Sequence, residues 1–226
     1  NQAIKDGVLR SGDNPFQRYD MPEGVEPDRR SLNFEHIQAL AGLNLDEGSD
    51  LLRDRDAFVF AFYGGGVRFS DVCQLRPENI SDERLRYRMM KTGRVVDLCL
   101  PETALQIAER WKGEGGSFFL FPYLEDGDDQ DPVHLRKRIS VWNQMANRSL
   151  KVLAEAAEIP RPDGVTFHVS RHSFADLARR SSEDLYAVSK ALGHSNLSIT
   201  ERYLAPFDRE AVDTLTTQMW NDDSRD

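Results

Sequence analysis

Four short segments of this chain carry side chains suited to chemistry on a phosphodiester. In GGGVRFSDVCQLRPENI, Arg68 follows a triple glycine and Asp71 stands three residues later. MMKTGRVV holds Lys91, HVSRHSFADLARR holds His168, Arg171 and His172, and LGHSNLSITERYL holds His194 with Tyr203 nine residues on. Two guanidiniums can grip the non-bridging oxygens of a phosphate in bidentate fashion and stabilise the charge that grows in a phosphorane-like transition state. A tyrosine hydroxyl attacks phosphorus once its proton, with an intrinsic pKa of about 10, has a way out. A His can accept or steer that proton, and a Lys can protonate the departing alkoxide. The set calls for no metal or other cofactor, because the arginines and the lysine bring the positive charge a metal would supply. Carboxylates are sparse in the last two segments, limited to Asp176 and Glu201.

Taken singly, each segment has a plain structural reading. An Arg after a glycine turn is commonly a helix start, a Lys at a hairpin tip is solvated, and His172 beside Arg171 reads as a packed, hydrogen-bonded residue. A metal hydrolase built on His168, His172 and His194 lacks a carboxylate or Cys partner at ligand spacing. Joint occurrence, in this order and at these spacings, is what outweighs the plain readings.

The elements that must position these residues follow from local patterns. Residues 1–30, rich in Gly, Pro and charge, read as a linker into a domain spanning 31–226. Asn33 can cap a helix with Phe34, Ile37, Leu40 and Ala41 on one face, ending at Gly42 or Asn44. A second helix runs from about Asp50 and must stop at Gly64-Gly65-Gly66, where three glycines make a turn or a close approach. RLRYRMM and RVVDLCL, separated by Lys91-Thr92-Gly93, form a β-hairpin with Gly93 in its turn. Pro101 opens a helix with Ala104, Ala108 and Trp111 on one face. FFLFPYL is a short apolar segment, followed by the acidic loop EDGDDQD. Residues 132–157 form a long helix, RPDG a turn, and three or four short helices follow to about Met219. The expected class is mainly α with a small antiparallel β-sheet (α+β).

Composition bounds the rest. The 226 residues, 39% hydrophobic and 9% aromatic, suit an ordinary globular protein of about one and a half domains. Mean hydropathy is −0.57, and no apolar run approaches the roughly 18 residues of a membrane span. The opening NQAIKDGVLR does not read as a signal peptide, and a chain without an initiating Met reads as a fragment or processed product. Two cysteines, Cys73 and Cys99, exclude a disulfide scaffold and suit a reducing cytoplasm.

The net charge of −9 looks wrong for a nucleic-acid partner, but its distribution is uneven. Residues 20–56, 125–131 and 222–226 carry −13 between them, so the remainder nets +4. Arg84, Arg86, Arg88, Lys91 and Arg94 lie in one stretch without acids, and Arg136, Lys137, Arg138, Arg148 and Lys151 in another. Locally basic surfaces can bind phosphate on an acidic body, because the field is screened within roughly 10 Å. Arg84, Arg86, Arg88, Arg94, Arg136, Lys137 and Arg138 are therefore the candidate DNA contacts.

The motif set resembles the tyrosine recombinases (phage integrase family) over nearly all of residues 26–226. The matching elements are Gly66-Val67-Arg68 with Asp71, Lys91-Thr92-Gly93, His168-Val169-Ser170-Arg171-His172, Leu192-Gly193-His194 and Tyr203. NPFQRY looks like the family's join between an N-terminal core-binding domain and the catalytic domain. The resemblance implies a site-specific DNA recombinase acting on double-stranded DNA through a 3′-phosphotyrosyl link. Tyr203 would be the nucleophile, Arg68 and Arg171 would grip the phosphate, and His194 would add a hydrogen bond. Lys91 would be the general acid, His168 would assist proton transfer from Tyr203, and Asp71 would orient Arg68 or His168. It implies a homotetramer when synapsed on DNA, a monomer when free, and a prokaryotic cytoplasmic protein found on the nucleoid when bound. A final helix over about 208–219, with Ala211, Leu215 and Met219 on one face, would pack in cis or in trans. Phe69 is bulkier than the pattern leads one to expect, which should matter for packing more than for chemistry. A type IB topoisomerase shares this chemistry, and a non-cutting DNA-binding relative would share the fold.

Overall fold

The computed structural model describes residues 6–8, 30–113, 118–181 and 185–193. The linker expectation (apart from Arg30 and the 6–8 turn), the 208–219 helix, His194 and Tyr203 lie outside them. Helix α1 (Phe34–Ala41) is capped by the Asn33 side chain, which accepts from the His36 amide at 2.8 Å, and ends at Gly42. Its inner face is Ile37 and Leu40, while Phe34 is 40% exposed and turns outward. Helix α2 (Asp50–Tyr63) starts where the Ser49 hydroxyl accepts from the Leu52 amide, and stops at Gly64. The short helix α3 (Phe69–Val72) follows the glycine turn.

Three antiparallel strands, β1 (Ile80–Ser81), β2 (Arg84–Arg88) and β3 (Val95–Cys99), form the sheet in the order β1-β2-β3. The hairpin register pairs Arg86 with Asp97 and Arg88 with Val95. It leaves Met89 to Arg94 as the connection, with Gly93 at φ +67°. Strand β1 is an addition to the expected hairpin; two residues are too few to show periodicity. Alternation along β2 turns Leu85 and Tyr87 inward and Arg84, Arg86 and Arg88 outward.

Helix α4 (Glu102–Trp111) and the long helix α5 (Pro132–Ala156) follow as the sequence predicts. A 15-residue helix, α6 (Phe167–Ser181), stands where shorter ones were expected, and α7 (Leu185–Ala191) covers β3.

The core is organised around α2, which packs on α1, α4, α5 and α6. Every residue from Leu52 to Phe62 is buried, including Arg53, Asp54, Arg55 and Asp56. Such charges are tolerable only when paired. Arg53 bonds Asp50 at 2.6 Å and Asp54 at 3.1 Å, with its guanidinium over the rings of Tyr123 and Trp142. Tyr123 Oη donates to Asp54 at 2.8 Å. Arg55 bonds Asp56 at 2.6 Å and donates to the carbonyls of Ala41 and Leu43, holding the end of α1. Arg110 Nη1 and Trp111 Nε1 reach the other oxygen of Asp56. Polar side chains on this central helix thus hold the end of α1, α4 and the segment that carries Tyr123.

Candidate active site

The end of α2 begins the site. Gly65 and Gly66 both have positive φ, +83° and +74°, a region open to glycine at little cost. A Cβ on Gly66 would lie 2.9 Å from Arg171 Cγ and 3.0 Å from its Cα, so the bare glycine lets α6 close onto the turn. Arg171 is 2% exposed. Its Nη1 donates to Gly66 O at 2.8 Å and its Nη2 to Leu192 O at 2.5 Å. The guanidinium is held from behind by two backbone carbonyls belonging to different segments.

Arg68, at the N-cap position of α3, is half-buried, with Nη1 3.7 Å from Met89 Sδ. The next residue, Phe69, packs edge-on against Phe167 at 4.8 Å between centroids and against Tyr123 at 5.0 Å. The expectation that its bulk serves packing agrees with this: Phe69 joins the Arg68 helix to the start of α6. Asn147 on α5 accepts from the Phe167 amide at 2.7 Å, capping the first turn of α6. His168 follows, exposed, with the half-buried His172 ring perpendicular to it at 4.5 Å. His172 packs against a neighbouring ring rather than turning fully into the core, whose inward positions here are Ser170, Arg171 and Ser173.

Arg68, His168 and Arg171 line one cleft of about 410 Å³. Its opposite wall is a face of α5 carrying Arg136, Ser140 and Asn143, and the hairpin contributes Met90. Lys91 is exposed at the hairpin tip beside Met90 and is not part of the lining. Leu192 and Gly193, directly before His194, dock on this assembly. Leu192 O meets Arg171, and a Cβ on Gly193 would overlap Met89 Sδ. Asn147, Met89, Ser140 and Asn143 were not among the sequence candidates. Their role depends on α5 and the hairpin facing α6, and only a polar residue recurring on one side of a long helix hinted at it.

Asp71 differs from expectation. Its Oδ1 accepts from the Met90 amide at 2.8 Å, so its hydrogen bond goes to the hairpin rather than to Arg68 or His168. Arg68 and Arg171 reach it through charge alone. Asp71 is 3% exposed, and its Oδ2 has no hydrogen-bond partner among the described residues. Desolvation raises its pKa, against the lowering pull of the Met90 amide and the two arginines.

The basic candidates separate by environment. Arg136 and Lys137 are exposed, and Arg136 turns into the cleft. Arg138 is engaged by Asp128 at 3.3 Å and Glu125 at 3.4 Å. The acidic loop folds back onto Arg138, His134 and Arg76, and the Glu125 amide, with His134 and Arg138, holds the Asp128 carboxyl below its usual range. On the sheet, Arg84 pairs with Asp97 at 2.8 Å and Arg88 donates to Gly93 O, while Arg86 and Arg94 are exposed. Among the described residues no three His, Cys, Asp or Glu side chains converge as a metal site, and no helix is long and apolar enough to cross a membrane.

A family model described as the phage integrase family matches residues 30–210, from the start of α1 through all of these positions. The chain belongs to the phage integrase family. Among curated relatives, tyrosine recombinase XerC of Shewanella sp. (strain ANA-3) is 28% identical over 210 residues, covering 87% of this chain and 63% of that protein. Tyrosine recombinase XerA of Pyrococcus horikoshii is 28% identical over 206 residues, covering 89% and 66%. This phage integrase family chain therefore spans about two thirds of the length of those relatives. Among solved structures, XerH site-specific recombinase bound to palindromic difH substrate, in a post-cleavage complex, matches with a TM-score of 0.61 at 17% identity over 84% of this chain and 53% of that one. XerA recombinase matches at 0.59 and 21% over 96% and 71%. The likeness establishes the fold, mainly helical with a small antiparallel sheet, as in these recombinases.

Proposed function

We propose that this chain is the catalytic domain of a tyrosine-type site-specific DNA recombinase, and the observation that carries the reading is the single cleft shared by Arg68, His168 and Arg171. The Tyr203 hydroxyl oxygen attacks the scissile phosphorus and its proton passes to His168. The bond from phosphorus to the 5′-oxygen breaks, Lys91 donates a proton to that oxygen, and the DNA 3′ end is left as a phosphotyrosyl ester. Attack by a 5′-hydroxyl reverses these steps, so the strand-breaking energy is kept for rejoining. Arg68 and Arg171 stabilise the charge on the non-bridging oxygens, and His194 donates a further hydrogen bond. Arg171 is fixed from behind by Gly66 O and Leu192 O, so it is oriented before the substrate arrives.

The partner is double-stranded DNA, approached by the cleft-lining face of α5 with Arg136 and by the exposed arginines of the hairpin. Relatives described as tyrosine recombinases, and XerH bound to its difH substrate, support this reading. Synapsis of two sites takes a homotetramer, assembled on DNA in the cytoplasm at the nucleoid.

The test is a covalent-adduct assay with supercoiled plasmid in EDTA, denatured and probed for protein-linked DNA. Wild type is expected to give an adduct and Tyr203→Phe none. An adduct retained by Tyr203→Phe overturns the assignment of the nucleophile. DNA binding without an adduct from either protein, on a cognate site as well, favours the non-cutting relative. Relaxation without strand exchange between two sites favours the topoisomerase.

A further inference from the structure

The side chains of the hairpin tip face solvent. Lys91, Thr92, Gly93 and Arg94 are all exposed, and a Cβ added at Gly93 would meet nothing within 4 Å. Its base is anchored by Met89, which is 1% exposed in the core and packs under Gly193, and the turn is closed by the Met89 amide to Arg94 O and the Gly93 amide to Met89 O, both at 2.8 Å. Arg68 and Thr92 approach Met89 Sδ at 3.7 and 3.4 Å, and Gln74 approaches Met90 Sδ at 3.3 Å. Sulfur is a weak acceptor, so these side-chain bonds add little to the position of Lys91. The bond from the Met90 amide to Asp71 Oδ1, at 2.8 Å, is of a different order: a backbone donor meets a carboxylate inside the protein.

Asp71 lies three residues after Arg68 on the same short helix, and Met90 immediately precedes Lys91. One side chain therefore links the backbone that carries the phosphate-gripping arginine to the backbone that carries the lysine. The group is also an expensive one to keep there. It is 3% exposed, its Oδ2 has no hydrogen-bond partner among the described residues, and it lines a cavity of about 300 Å³ with Gln74, Tyr87 and Arg88. A carboxyl buried beside the chemistry, with one oxygen that no described residue bonds, is a cost that stability alone does not explain.

We propose that Asp71 is the positioning residue for Lys91: by holding the Met90 amide it sets the hairpin tip in register with Arg68, so that the lysine ammonium meets the 5′-oxygen as it leaves. This rests on the reading of Lys91 as general acid, and the experiment separates the two. Cleavage is timed on two duplexes, one with the ordinary phosphodiester and one with sulfur in place of the bridging 5′-oxygen at the mapped cleavage position. A thiolate departs without a proton, so the sulfur duplex makes the acid unnecessary.

On the oxygen duplex, Lys91→Ala is expected to be about 10²- to 10⁴-fold slow, the range of one general acid. Asp71→Ala is expected to be about tenfold to a hundredfold slow, the scale of a misplaced group. On the sulfur duplex both should return close to the wild-type rate. Asp71→Asn keeps a carbonyl acceptor for the Met90 amide and should cleave both duplexes nearly as wild type does.

If Lys91→Ala recovers with sulfur and Asp71→Ala stays equally slow on both duplexes, the role of Asp71 is structural and the proposal falls while the acid assignment stands. If Lys91→Ala does not recover, the acid assignment falls and takes the proposal with it. Asp71→Leu, of similar volume and without an acceptor, replaces the alanine variant if circular dichroism shows that variant unfolded. Hydrogen exchange in the wild-type chain needs no variant at all. The Met90 amide should exchange well below its unprotected rate despite a 44% exposed residue, and unprotected exchange overturns the proposal.

Discussion

At the scale of single residues, the site depends on groups held at a cost. Asp71 is the clearest of them, and its burial has a consequence for stability against pH. Its folded-state pKa is raised, first by desolvation, above the roughly 3.9 of an unfolded chain. Between those two values the folded state holds a proton that the unfolded state has released, so stability falls as pH rises through that window. Below the unfolded value both states are protonated and the dependence vanishes. Asp71→Asn has no such group, so the stability of wild type relative to that variant should decline from about pH 4 upward and then level off. Urea denaturation at a series of pH values measures it, and a difference independent of pH would refute the assignment. Gly66 shows the opposite economy: at φ +74° and against the Arg171 side chain, any Cβ would both strain the turn and push the second arginine from its place.

At the scale of elements, α2 is the organiser, and its charges matter more than its apolar faces reveal. Asp56 alone receives Arg55, Arg110 and the Trp111 indole, which ties α4 to α2. Asp56→Ala leaves buried donors without their acceptor and should destabilise the fold by about 3–5 kcal/mol in urea denaturation. Asp163→Ala, which removes a surface partner 3.9 Å from Lys151, should change stability by no more than about 1 kcal/mol. Equal effects would mean that the buried network is not what holds α4. Much at this scale was legible in the sequence. Asn33 caps the helix it precedes, three glycines end α2, and Gly93 turns the hairpin, because each signal acts within a few residues. Strand β1 was not legible, since its pairing is supplied by β2.

At the scale of the whole molecule, an acidic chain presents a locally basic cleft, and the charges that bear on the proposed DNA contact are those left facing solvent. Arg136 and Arg138 are two residues apart and equivalent in the sequence, yet Arg136 lines the cleft while Arg138 is engaged by Asp128 and Glu125. Each phosphate neutralised contributes about 0.9 to the slope of log K against log salt. Arg136→Ala should therefore lower that slope by about one in anisotropy titrations over a range of KCl, and Arg138→Ala should leave it unchanged. The reverse ranking would place the DNA on the acidic-loop side. The sequence by itself determined the order and spacing of Gly66, Arg68, His168 and Arg171, the hairpin that carries Lys91 and the helices before and after it, since periodicity, caps and turns are written in adjacent residues. Only the tertiary structure decided which acid answers which base. Tyr123 meets Asp54 from 69 positions away and Arg110 meets Asp56 from 54, and Asp71 finds the hairpin backbone rather than the arginine three residues before it. The partner of a buried charge is whatever the packing of distant elements brings within hydrogen-bond reach, and no local pattern encodes that.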